Sequence, residues 1–181
     1  MMAKRMMDTL RPAAARFAVA TLIAGAVGLG ALVSAAEKRP LPAFQVVTMD
    51  GVAVASPQVG PAGQWLLIYV TPTSAASARL LGGMKQWESP DLNARTVVVI
   101  GAPVAEAAKF VKARAAEFPA VRWFADPQGA AWQALRLTGT PYILGVKDGQ
   151  IAWSLAGVLN DPRALESVIR SWVEPKPRSG L

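Results

Sequence analysis

The sequence predicts an α/β domain in which helices flank a mixed β-sheet. Two continuously apolar segments, "WLLIYV" and "TVVVIG", are typical of strands that are buried on both faces. Segments with apolar residues at helical spacing lie between the predicted strands. The chain then closes with "YILGV", the turn "KDGQ", "IAWSLAGV" and a last helix. Strands that alternate with helices favour a sheet covered by helices on both faces.

The remaining strands and the helices can also be predicted from local sequence patterns. "FQVV" and "VAV", joined by "MDG", predict an opening hairpin, and "VRWFA" predicts a third inner strand. A helix is expected from Ser74 to Glu88, with Thr73 or Ser74 capping its N-terminus. Further helices are expected over residues 105–118, over 127–135, and from Asp161 to about Val173 with Pro162 in the first helical position.

Composition indicates one globular unit and argues against a nucleic-acid partner. The chain has 181 residues, of which 52% are hydrophobic and 17% are charged. Its net charge of +7 is partly due to the first 16 residues, and residues 37–181 carry 15 basic and 11 acidic side chains. Phosphate binding requires clustered lysine and arginine, and this excess is small and diffuse.

The residue types that the chain lacks exclude most enzyme chemistry. The chain contains no histidine and no cysteine, so it has no histidine base, no histidine metal ligand and no thiolate for redox chemistry, a zinc cluster or an iron-sulfur site. The acidic residues are single and dispersed, which does not suggest a carboxylate pair or a di-metal site. We therefore expect no catalytic residues, no metal and no cofactor.

The first 43 residues are predicted to export and tether the domain. Residues 1–16 form a basic cytoplasmic segment, and residues 17–36, "FAVATLIAGAVGLGALVSAA", form a transmembrane anchor or a signal peptide. A signal peptide would be cleaved after the small residues Val33 and Ala35. Residues 37–43 are interpreted as a proline-stiffened linker and residues 174–181 as a tail. The domain itself is expected over residues 44–173.

Four segments in sequence order carry a family resemblance. They are "LPAFQVVTMDG", "WLLIYVTPTSAAS", "FADPQGAAWQAL" and "TGTPYILGVKDGQIAWSLAG". Together they resemble the thioredoxin-like superfamily, and within it the membrane-anchored, exported TlpA and MauD types, over residues 41–173. The resemblance implies a thioredoxin-like fold. The basic residues before the apolar run predict a cytoplasmic N-terminus and an exported domain. With the resemblance, this leads us to expect a single-pass protein of the inner membrane with a periplasmic domain.

The chain departs from this family at the redox motif. Where the family has Cys-x-x-Cys, the chain has Ser74, Ala75, Ala76 and Ser77. A serine hydroxyl ionises too weakly to replace a thiolate unless a base activates it, and no histidine is present to do so. Ser74 is therefore interpreted as a helix cap rather than a nucleophile, and the chain as a pseudo-thioredoxin.

The resemblance also implies a partner-binding groove. Thr140-Pro141 matches the family's cis-proline position, where an extended partner segment can pair with the backbone. Thr73, Ser74, Thr140 and Pro141 are the predicted groove residues, and β-augmentation is the expected mode of binding. The alternative interpretation is that Pro141 only begins an edge strand.

Three functions are compatible with the sequence. The leading hypothesis is a redox-inactive, membrane-anchored protein that binds other proteins, as an accessory subunit or assembly factor of a periplasmic or membrane oxidoreductase complex. The first alternative is a thiol-disulfide oxidoreductase whose two cysteines have been replaced by serine. The second alternative is a periplasmic chaperone that binds peptides. The sequence does not identify the partner or the oligomeric state.

Overall fold

The computed structural model describes residues 33–34, 38–87, 89–157 and 161–174. The predicted basic segment, most of the predicted anchor, and the tail from residue 175 lie outside the described residues. So does Glu88, the predicted end of the first long helix.

The described strands form one mixed sheet. They are β1 (Val33–Ser34), β2 (Arg39–Pro40), β3 (Gln45–Val47), β4 (Ala53–Ala55), β5 (Gln64–Val70), β6 (Thr96–Ile100), β7 (Arg122–Ala125), β8 (Tyr142–Lys147) and β9 (Gln150–Ala156). Their order across the sheet is β1-β9-β8-β5-β6-β7-β3-β4, and β2 pairs with β9 as well. β5, β6 and β7 are parallel, whereas β8 is antiparallel to both β5 and β9.

Helices cover both faces of this sheet. They are α1 (Ser56–Val59), α2 (Ala75–Gln86), α3 (Pro90–Ala94), α4 (Val104–Lys112), α5 (Ala130–Leu135) and α6 (Pro162–Val173), with one 3-10 turn at Ala115–Glu117. Alternate residues of β5 belong to two cores. One core packs Ile68 with residues of α2, α4 and α6, and the other packs Leu67 with residues of α5. The α/β prediction with a mixed sheet is confirmed.

Most predicted elements are present, but four helical details differ. The helix predicted over residues 127–135 begins only at Ala130, because Gly129 before it has a left-handed backbone conformation. The helix predicted over 105–118 ends at Lys112, where the Arg114 guanidinium donates to the carbonyl of Phe110 at 3.3 Å and lies 3.9 Å from the Phe110 ring centroid. α1 and α3 were not predicted. α3 nevertheless has a clear sequence signal, since Ser89 caps it and Pro90 begins it.

The linker predicted over residues 37–43 is wrong in part, because the sheet begins within it. Arg39 and Pro40 lie opposite Ile151 and Gln150 of β9, and the Leu41 amide donates to the Gly149 carbonyl at 2.9 Å. β9 would otherwise expose unpaired backbone groups, and pairing with the preceding chain satisfies some of them. The folded unit therefore begins before residue 44.

The predicted anchor over residues 17–36 overlaps the described chain only at Val33 and Ser34, which form β1 beside β9. Within the described ranges, no helix is both long and apolar enough to cross a membrane.

The β8–β9 hairpin requires a glycine at one position. Gly145 lies opposite Trp153, next to a register irregularity between Gly145 and Val146. A Cβ atom at Gly145 would overlap the indole ring of Trp153. The missing side chain therefore leaves room for the indole to lie across the strand.

We predict that Gly145→Ala lowers the free energy of unfolding by about 1 to 3 kcal/mol, because the indole must move to make room for the methyl group. Urea denaturation measures this change. Gly82→Ala is the matched control, since Gly82 is exposed on α2 with open space around it. That variant should gain up to about 1 kcal/mol from helix propensity. Equal stability of the two variants would contradict the steric account.

Candidate functional site

The predicted groove residues meet where β5 ends and β8 begins. Tyr69 of β5 lies opposite Tyr142 of β8, so the residues after Tyr69 and before Tyr142 leave the sheet side by side. The Thr140-Pro141 peptide bond is cis, as the resemblance implied. β8 pairs with β5 on one side and β9 on the other, so the interpretation of Pro141 as the start of an edge strand is wrong.

Ser74 joins the two sides of this site. Its hydroxyl oxygen accepts a hydrogen bond from the Ser77 amide at 3.1 Å, which confirms Ser74 as the N-cap of α2. The same hydroxyl donates to the Thr140 carbonyl at 3.4 Å. The start of α2 is thereby connected to the segment that precedes the cis-proline.

A second hydroxyl contact supports the first. The hydroxyls of Thr71 and Thr140 share a hydrogen bond of 3.0 Å, and the Thr71 amide lies 3.5 Å from the Ser77 hydroxyl. Ser77 is only 1% exposed, whereas Ala75 is exposed. These hydroxyls are used in structural hydrogen bonds with amides, carbonyls and one another. None of their described partners is a base that could activate a serine.

The backbone at Thr140 is available for pairing. Thr73 is exposed, Thr140 is half-buried and Pro141 is buried. Among the described residues, the Thr140 amide has no backbone partner, and its carbonyl accepts only the long bond from Ser74. This arrangement suits an extended segment that donates to, and accepts from, Thr140. That the groove binds a partner stays a prediction.

Sequence reasoning missed a buried pair beside this site. The Tyr69 hydroxyl donates to Asp126 Oδ2 at 3.0 Å, and the Trp132 amide donates to the same oxygen at 3.1 Å. Asp126 is only 3% exposed, and its Oδ1 has no partner among the described residues. An aspartate that directly follows a predicted inner strand could have drawn attention to it, because such strand ends face the site.

Gly101 makes room for this pair. A Cβ atom at Gly101 would lie 2.6 Å from the Tyr69 hydroxyl oxygen, so any side chain there would displace the tyrosine. Burial, and then the charge and hydrogen bond of Asp126, raise the pKa of Tyr69 well above its ordinary value. Tyr69 therefore stays protonated and donates to Asp126.

The segments next to the groove carry few charged side chains. Residues 71–74, 101–103, 127–129 and 138–140 contain no lysine, arginine, aspartate or glutamate, but the loop between α5 and β8 begins with Arg136, which is exposed. Asp126 adjoins one of these segments but is buried. The predicted groove residues are thus neutral, while Arg136 and Glu106 of the first turn of α4 are exposed charged residues at the same end of the sheet.

Comparison with known proteins identifies the fold. No family model matches the chain, and no curated protein matches it. Among solved structures, a candidate thiol:disulfide interchange protein DsbE from Chlorobium tepidum is 21% identical with a TM-score of 0.59, over 77% of this chain and 99% of that one. A thiol:disulfide interchange protein from Bacteroides sp. is 13% identical with a TM-score of 0.59, over 79% and 93% of the two chains.

A third solved structure is also similar to this chain. A secreted Mycobacterium tuberculosis disulfide oxidoreductase homologous to E. coli DsbE is 17% identical with a TM-score of 0.52, over 71% of this chain and 95% of that one. The chain therefore has a thioredoxin-like fold, in agreement with the resemblance. Structural similarity at sequence identities this low establishes the fold alone.

We predict that Ser74→Ala lowers the free energy of unfolding by about 1 kcal/mol, because the Ser77 amide loses its cap. Ser74→Asn should retain most of the stability, since its side-chain oxygen can accept the same bond. Urea denaturation of both variants measures the difference. Equal stability of the wild type and Ser74→Ala would show that the cap does not stabilise α2.

We predict that stability falls as the pH rises above about 10, the ordinary pKa of tyrosine. In that range the unfolded chain loses the Tyr69 proton, while the folded chain keeps it because the folded pKa is raised. The contribution of Tyr69 to the free energy of unfolding is complete below about pH 10 and disappears as the pH rises toward the pKa of Tyr69 in the folded chain. Tyr69→Phe should show a weaker decline over this range in alkaline denaturation curves, and an unchanged decline would contradict the assignment.

Proposed function

We propose that this chain is an exported, membrane-anchored, redox-inactive protein that binds an extended segment of another protein at Thr73, Ser74, Thr140 and Pro141. It acts as an accessory subunit or assembly factor of a membrane or periplasmic oxidoreductase complex. Binding at this groove needs backbone pairing and does not need a thiol.

The Thr140 amide, which has no backbone partner among the described residues, is the observation that carries this proposal. The cis bond to Pro141 and the contacts of Thr140 with Thr71 and Ser74 hold this residue beside the start of α2. A partner strand that pairs there adds hydrogen bonds without any rearrangement of the sheet. The groove therefore supports recognition even though serine occupies both motif positions.

The absence of thiols favours binding over redox chemistry. The full chain contains no cysteine, so it cannot form or exchange a disulfide. Ser74 and Ser77 instead take part in the hydrogen bonds that begin α2. These roles fit a chain that has kept the scaffold of an oxidoreductase for recognition.

The membrane tether also fits a binding role. Confinement to a membrane raises the effective concentration of a partner on the same surface. A permanent subunit would bury a large apolar interface and co-purify in fixed stoichiometry, whereas an assembly factor would form a smaller and transient contact.

One alternative has a specific observation in its favour. Solved structures with this fold include proteins named as thiol:disulfide interchange proteins, which suits an oxidoreductase whose cysteines have been replaced. In a strain that lacks the gene, our proposal predicts that the serine-containing chain restores the function that was lost with the gene. Restoration only by the double variant Ser74→Cys/Ser77→Cys would support the oxidoreductase and contradict our proposal.

We predict that a single partner enzyme co-purifies with the full-length chain from detergent-solubilised membranes, and that Thr73→Arg lowers its yield by about tenfold or more. The reason is that a bulky charged side chain blocks the groove and loses its hydration when a strand approaches. Quantitative mass spectrometry of the purified complex measures the stoichiometry.

Ala120→Arg is the matched control, because Ala120 is exposed in the loop before β7, at the opposite end of the sheet. This variant should keep the partner at the wild-type yield. Equal yields for Thr73→Arg and the wild type would place the contact elsewhere and contradict the groove. Low yields of many unrelated proteins would instead favour the chaperone alternative.

A further inference from the structure

We infer that the groove faces the membrane and takes an uncharged, extended segment of a membrane-embedded partner, close to where that partner leaves the bilayer. This inference rests on the proposed function and deepens it, because it specifies the partner from the path of the chain through the sheet.

The first step is the direction of β2. Arg39 lies opposite Ile151 and Pro40 opposite Gln150, so the chain runs antiparallel to β9. Followed backwards from Pro40, the chain therefore moves along β9 away from the β8–β9 turn. It moves toward the end of the sheet where β5 meets α2 and where the groove lies.

The second step is the position of β1. Val33 lies opposite Leu155, and Leu155 lies opposite Ile143 of β8, two residues after Pro141. With strands about 4.8 Å apart and a rise of about 3.3 Å per residue, Val33 lies roughly 12 Å from Pro141. The Gly157 amide, just past the end of β9, donates to the Pro141 carbonyl at 2.8 Å. The tether and the groove thus share one end of the sheet.

The third step is the length of the apolar chain that precedes β1. Residues 17–32, "FAVATLIAGAVGLGAL", carry no charge and directly precede Val33. As a helix these residues would span about 24 Å, somewhat less than the hydrocarbon thickness of about 30 Å. No hydrophilic linker separates them from β1. An anchored chain would therefore hold this end of the sheet against the bilayer.

The fourth step is the distribution of charge. Residues 71–74, 101–103, 127–129 and 138–140 at the groove end are uncharged, and Arg136 is the exposed charge in the loop before β8. The opposite end carries Arg95, Arg122, Lys147 and Asp148 at the ends of its strands. The groove residues Thr73, Ser74, Thr140 and Pro141 thus offer no charge to a partner. Recognition there depends on backbone pairing, so its affinity should change little with salt.

Together these steps restrict the partner. A soluble protein would have to enter the space between the domain and the bilayer to reach the groove. A membrane protein already has polypeptide segments at the bilayer surface, next to the groove. The fitting ligand is an extended stretch of small or polar uncharged residues next to a transmembrane segment.

The cysteine-free chain allows a direct test with single labels. Ala75→Cys places a fluorophore at the groove end, and Ala120→Cys places the same fluorophore at the opposite end; both alanines are exposed. β5 alone spans about 23 Å between the two ends. Each labelled full-length chain is reconstituted into phosphatidylethanolamine and phosphatidylglycerol vesicles whose headgroups carry an energy acceptor.

The inference predicts severalfold stronger energy transfer to the lipid acceptor from position 75 than from position 120. Equal transfer, or stronger transfer from position 120, would overturn it. Flotation of the same vesicles separates this result from the proposed function. Chains that float but show equal transfer refute the orientation alone, whereas chains that do not float refute both the tether and the inference.

Discussion

The position of β5 between β6 and β8 is the constraint on which the rest of the structure depends. β5 is parallel to one neighbour and antiparallel to the other. The end of β5 therefore lies beside the start of β8, and the loops that contain Thr71, Ser74 and Thr140 must meet. Burial of β5 on both faces fixes its register, because a shift by one residue would exchange the side chains of the two cores.

The contacts that form the groove do not depend on a redox motif. The family resemblance implies a Cys-x-x-Cys motif at the start of the helix after the central strand. In this chain the same position holds a serine that caps α2 and contacts Thr140. The contacts that shape the groove do not require the thiol, so the groove can persist when redox chemistry is lost. The buried pair of Tyr69 and Asp126 supports the same end of the sheet from the other face, where Trp132 packs edge-on against Tyr69.

The sequence predicted the inner strands and the capped helices because their signals are local. Continuous apolar runs identify β5 and β6, and Ser74 and Asp161 mark the starts of α2 and α6. The site was located by resemblance, since nothing local distinguishes a cis-proline. The pairing of Arg39 and Pro40 with β9, and the contact between Tyr69 and Asp126, join residues far apart in sequence. Such contacts depend on the folded sheet and leave little trace in the pattern of any one segment.

The most direct test of a binding role is amide hydrogen exchange of the full-length chain with and without its co-purified partner. If the partner pairs with the backbone of Thr140, the Thr140 amide should gain protection on binding, and peptides that cover Arg122 at the opposite end should exchange at their original rate. Protection confined to other surfaces, with exchange at Thr140 unchanged, would contradict the central claim that this chain acts through the groove beside its cis-proline.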